Sequence, residues 1–279
     1  MNAEFAPVMF GLASAASWGA GDFCGGLATK RAPVYGVVII SQIVGVILLV
    51  GSALALGEKL PPPTDLLWGG VAGLGGGLGL VALYSALASG RMGVAAPVSA
   101  VVAAAIPVAF GALAEGLPRV WQFIGFALAL AAVWLISRSG EAAVRARDLG
   151  LPLAAGFGFG LFFIALDRAS GEAVLWPIVA ARLTSAAALT GIATLRRPSS
   201  MPALEHLPLI ALSGLFDTGG NAFYALAAQA GRLDVAAVLG SLYPASTVWL
   251  AWLILKERLT RMQIIGVAAA LAAIVLIAV

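Results

Sequence analysis

The chain has 279 residues, of which 61% are hydrophobic and only 10% charged. Soluble domains carry about 25% charged and roughly 45–50% apolar residues, so a water-covered globule of this length is excluded and a bilayer-embedded chain is favoured. The net charge of +3 is scattered through short gaps between apolar runs, which is not the footprint of a nucleic-acid binder.

Cys24 is the only cysteine, which rules out an intramolecular disulfide. His206 is the only histidine, which excludes two-histidine metal motifs and leaves no metal site to expect. A spanning helix needs about 20 mostly apolar residues. Ten segments qualify: 7–29, 34–56, 66–89, 93–114, 118–137, 149–166, 173–195, 207–230, 233–255 and 262–279. The gaps hold breakers and charges, and leave no room for a soluble domain. Backbone groups must be satisfied inside lipid, and these runs lack the alternation of barrel strands, so they read as helices.

In chain order, residues 1–6 contain Glu4 and neither Lys nor Arg, unlike a cleaved signal peptide. In the first span Ser14, Trp18 and Asp22 fall four apart, on one helical face. The second span carries Gln42. The third carries Gly69, Gly73 and Gly77, then Gly75 and Gly79, at a spacing that lets helix backbones approach closely. Tyr84 follows as a candidate aromatic wall. In the fourth, Pro97 lies near the start and Pro107 interrupts the span.

The sixth span holds Gly156-x-Gly158-x-Gly160, which lacks the spacing of a dinucleotide fingerprint. Arg182 lies too deep in the seventh span to snorkel, and its counterpart in the first half is Gln42. It could clamp a substrate carboxylate or phosphate, or form a structural ion pair with Asp217 or Asp22. In the eighth span Ser213, Asp217, Asn221 and Tyr224 share a face, lining either a cavity or a helix-packing network. Asp22 and Asp217 are candidate proton carriers, or else permanently paired anions. Tyr243-Pro244, flanked by Ser241, Ser246 and Thr247, reads as a break in the ninth span; broken helices often line transporter sites. Tyr243 is a second candidate wall. Trp68, Trp121, Trp134 and Trp176 lie near span ends and read as interfacial anchors.

The chain repeats itself. Gly90-Arg91-x-x-Val94-Ala95-Ala96 recurs as Gly231-Arg232-x-x-Val235-Ala236-Ala237, and Tyr84 as Tyr224. Glu115, Leu117, Arg119, Gln122 and Gly125 recur as Glu257, Leu259, Arg261, Gln263 and Gly266. Glu115 and Glu257 sit beside basic residues, which suits capping or loop pairing better than a gate with Arg119 or Arg258. The expected organisation is a first repeat over 1–140, a connecting loop over 141–148 and a second repeat over 149–279. Five spans per half is odd, so the second half must enter from the opposite side. The expected fold is an all-α integral membrane protein of ten transmembrane helices in a 5+5 inverted repeat.

Trp18-Gly19-Ala20-Gly21-Asp22-Phe23, Lys256-Glu257-Arg258-Leu259-Thr260-x-x-Gln263-x-x-Gly266 and the weaker copy Glu115-Gly116-Leu117-Pro118-Arg119 carry a resemblance over nearly the whole chain. The sequence resembles an EamA-type member of the drug/metabolite transporter superfamily. That resemblance implies a multi-pass protein of a prokaryotic plasma membrane, with a central cavity and no cofactor. It also implies export or uptake of amino acids, other metabolites or drugs.

The expected function is secondary transport of an amino-acid-like or drug-like solute by alternating access, by proton coupling or exchange. Its site candidates are Asp217, Asn221, Tyr224, Arg182, Asp22, Trp18, Gln42, Tyr84 and Tyr243. Expected partners are the bilayer and the solute; monomer and homodimer both remain open. The alternatives are an intramembrane enzyme acting on lipid, for which no paired-carboxylate or nucleophile motif appears, and a non-transporting scaffold. The gaps on the N-terminal side hold four Lys or Arg and those opposite hold eleven. The positive-inside rule therefore places both termini outside, whereas the resemblance places them in the cytoplasm.

Overall fold

The computed structural model describes residues 5–89, 92–115, 120–138, 146–169, 171, 173–195, 201–230, 233–256 and 260–278. The loop motifs at Gly90-Arg91, Arg119, Gly231-Arg232 and Glu257-Arg258-Leu259 lie outside the described residues. So do most of the 141–148 connection and the side chains of Glu115, Gln122, Trp134 and Gln263.

The described chain is all helical. In order come α1 (Phe5–Thr29), α2 (Val34–Leu56), α3 (Pro63–Ala88), α4 (Met92–Glu115), α5 (Val120–Arg138), α6 (Gly150–Ala169), α7 (Leu175–Leu195), α8 (Leu207–Ala230), α9 (Leu233–Gly240), α10 (Tyr243–Leu250) and α11 (Arg261–Ala278). Short 3₁₀ turns precede α6 and α8, and a π turn, Ala251–Leu255, extends α10. Among the described residues four helices are long and apolar enough to cross a membrane: Val34–Leu56, Pro63–Ala88, Gly150–Ala169 and Leu175–Leu195.

Breakers set the helix ends. Gly57 closes α2 in the left-handed region at φ 65°, and its N–H returns to the Ala53 and Leu54 carbonyls. Pro62 caps α3 and Pro63 opens it, where a missing N–H costs no helical bond. The ninth apolar run is broken at Ser241-Leu242, with Pro244 in the first turn of α10. The expected interruption at Pro107 is corrected: α4 runs unbroken past Pro97 and Pro107. Glycines of α6 make room for α4 there. A Cβ on Gly160 would lie 2.6 Å from Ile106 Cβ, and one on Gly156 would lie 2.5 Å from the Ser99 carbonyl oxygen.

The main packing pairs run between the two halves of the chain: α1 with α8, α3 with α6 and α7, α2 with α7 and α8, α4 with α6, and α5 with α11. In addition α1 packs on α9 and α10. Exchanging α1–α5 for α6, α7, α8, α9–α10 and α11 turns this set into itself. Small residues permit the approach. A Cβ on Gly75 of α3 would lie 2.8 Å from the Gly158 oxygen of α6. On the other face of α3, Gly69, Gly73 and Gly77 meet Pro177, Ala181 and Ser185 of α7, so both helices contribute at four-residue intervals.

The outer surface is apolar. Ile47, Leu54 and Leu67 are 67%, 68% and 71% exposed, while Arg182 and Ser185 are 1% exposed. A soluble fold would reverse this distribution.

A candidate site between the two halves

Arg182 rises from the middle of α7 toward α2 and α8. Its Nη1 donates to Gln42 Oε1 at 2.7 Å, and its Nη2 donates to Asp217 Oδ2 at 2.7 Å. Gln42 Nε2 in turn donates to Ser185 Oγ at 3.1 Å. The ion pair is almost fully enclosed, and the Arg182 Nε lies against Gly45 of α2 without a hydrogen-bond partner. Of the two roles open to Arg182 in the sequence, the ion pair is the one built, and it is made with Asp217.

The α8 stripe Ser213, Asp217, Asn221 and Tyr224 is buried along its length. Asn221 Oδ1 accepts from Trp18 Nε1 at 2.7 Å, which fixes the indole of α1. That ring packs 5.6 Å from Phe163 and 5.6 Å from Tyr224, and lies edge-on to Phe162 at 6.4 Å. On α1, Asp22 lies one turn beyond Trp18 and is 5% exposed. Where the ninth run is broken, the Tyr243 hydroxyl is 2.5 Å from Ser99 Oγ of α4. Thr247 Oγ1 donates to the Gly19 carbonyl of α1 at 3.2 Å.

Several of these groups border one cavity. Trp18, Asp22, Gln42, Arg182, Asp217, Asn221 and Tyr243 line it. Tyr84 and Tyr224, expected beside them, lie in the packing around it. The Tyr84 hydroxyl is 3.0 Å from Ser213 Oγ and bridges toward the Gly21 carbonyl, stapling α3 to α1 and α8. Tyr224 stacks on Phe163 at 4.9 Å and donates to its carbonyl at 3.4 Å. Their hydroxyls find partners in the packing, as buried tyrosines require.

Sequence reasoning missed Phe159, Phe162 and Phe163 of α6 and Ser185 of α7, which complete the wall. The phenylalanines stand at i, i+3 and i+4, a one-face signal that was legible. It also missed Glu58. That carboxylate, just past α2, accepts from the N–H groups of Val174, Leu175 and Trp176 at 2.9 to 3.1 Å, capping α7. Trp176 Nε1 donates to the Glu58 carbonyl at 3.0 Å, so this indole is tied to a loop as well as placed near a helix end.

Fold and site define a multi-pass helical membrane protein with an apolar exterior and a few charged and polar side chains buried inside. The family model of the EamA-like transporter family matches residues 6–138 and again 149–279, and the chain belongs to that family. Members of this family within the drug/metabolite transporter superfamily are membrane transporters. No curated protein sequence matches the chain. A solved structure described as "Crystal structure of protein" is similar in fold, with a TM-score of 0.71 at 17% identity, covering 97% of this chain and 95% of that one.

Proposed function

We propose that the chain is a secondary transporter of a small metabolite, working by alternating access around the central cavity. The reading takes ten spans, divided into repeats over 1–140 and 149–279 that thread the membrane in opposite senses. The packing pairs support it, since they are preserved when the halves are exchanged. The single observation that carries the function is the composition of the cavity wall. Trp18, Asp22 and Gln42 come from the first half, and Arg182, Asp217, Asn221 and Tyr243 from the second. A rocking of one half against the other would therefore open and close the site itself. Charged side chains this deep in a membrane protein are costly and mark solute or ion paths.

The test is solute uptake by proteoliposomes holding the purified full-length chain, against a broad metabolite panel under imposed ion gradients. Transport of at least one solute is expected, falling at least tenfold in Arg182→Gln and Asp217→Asn after normalising for folded protein. No movement of any solute under any gradient ends the proposal.

A further inference from the structure

The charges on the cavity wall decide what kind of solute it holds. The wall bears two carboxylates, Asp22 and Asp217, and one guanidinium, Arg182. Each terminal nitrogen of Arg182 donates to one partner, Asp217 or Gln42, and its Nε packs against Gly45 of α2 without a partner. The charge of the guanidinium is already balanced by Asp217. Asp217 is neutralised by the same contact. Asp22 is not: among the described residues neither of its oxygens has a hydrogen-bond or ion-pair partner. The residue is 5% exposed and borders the cavity. The same wall carries five aromatic side chains: Trp18, Phe159, Phe162, Phe163 and Tyr243. Aromatic faces attract cations and accept flat apolar bodies, and do nothing for an anion.

We infer that the cavity binds a small monovalent organic cation, an amine with a flat or aromatic body, and that Asp22 is its counter-ion. The ammonium group sits at Asp22, and the body lies among the rings of α1 and α6. A zwitterion of the amino-acid type fits less well, because its carboxylate would have to compete with Asp217 for the arginine. This inference rests on the transporter reading for its biological use, but its test is a binding measurement that does not.

The purified full-length protein is titrated by isothermal calorimetry in detergent at neutral pH with four probes of one ring system: tryptamine, tryptophol, indole-3-acetate and tryptophan. These carry a positive charge, no charge, a negative charge and both charges. Tryptamine is expected to bind at least tenfold tighter than tryptophol, with indole-3-acetate and tryptophan weaker still. Asp22→Asn is expected to remove the preference for tryptamine over tryptophol while leaving tryptophol binding unchanged. Asp22→Glu, the variant to use if Asn fails to fold, is expected to retain the preference. The proposal is overturned if indole-3-acetate or tryptophan binds tighter than tryptamine, if Asp22→Asn keeps the preference, or if none of the four binds. Proteoliposome uptake of an anionic solute alongside such a result would leave the transporter reading standing and remove this one.

Discussion

Arg182 shows how one residue can organise a membrane interior. It joins α2, α7 and α8 through Gln42 and Asp217, with both charges almost dry. Removing one partner of a buried pair leaves the other uncompensated, which costs about 3–5 kcal/mol, whereas replacing both by apolar residues is often neutral. Arg182→Gln should therefore lower stability in SDS-titration unfolding by about 3 kcal/mol or more, and Arg182→Met with Asp217→Leu should recover most of it. A double variant as unstable as the single ones would mean that the pair contributes more than charge compensation. Trp18→Phe tests the neighbouring contact. It keeps the ring packing but removes the hydrogen bond to Asn221, so a loss of about 1 kcal/mol is expected in the same assay.

At the scale of elements, the break in the ninth run and the caps carry the argument. Tyr243-Pro244 was legible as an interruption, and the helix does stop at Ser241-Leu242. Pro107 carried a similar signal, yet α4 continues through it. A proline removes one backbone bond wherever it falls; whether the helix then parts depends on its neighbour. Beside α4 the glycines of α6 leave room for a continuous helix, which local sequence does not encode. Glu58 is another case. Its carboxylate stabilises the start of α7 through three backbone donors, so Glu58→Gln should lower thermal stability by about 1–2 kcal/mol. No loss on melting would show that the cap is idle. A side chain at Gly73 would collide with the Ala181 carbonyl of α7. Gly73→Val should therefore separate α3 from α7 and cost at least about 3 kcal/mol, seen as a collapsed melting temperature or loss of the monodisperse peak.

At the scale of the molecule, the two matched family regions are not side-by-side domains. Each half finds its main packing partners in the other: α1 on α8, α3 on α6 and α7, α5 on α11. Residues 1–140 expressed alone should consequently fail to give a stable, monodisperse species. Co-expressed with 149–279 as a separate chain, they should assemble into a stoichiometric complex on size-exclusion chromatography. A well-behaved isolated half would contradict the interleaved packing.

Sequence alone determined the helical class, the helix ends to within a few residues and the presence of two related regions. Each depends on local quantities: apolar run length, breakers, and motifs copied along the chain. It also singled out the charged side chains of the cavity wall, because Asp22, Asp217 and Arg182 have little reason to sit deep in apolar runs unless they face inward. What it left undecided was partnership. Tertiary structure gave Arg182 to Asp217 rather than Asp22, turned Tyr84 and Tyr224 into packing contacts, and brought Phe159, Phe162 and Phe163 into the wall. Partner choice depends on which helix faces lie within hydrogen-bond reach across the bundle, and no periodicity within a single helix carries that distance.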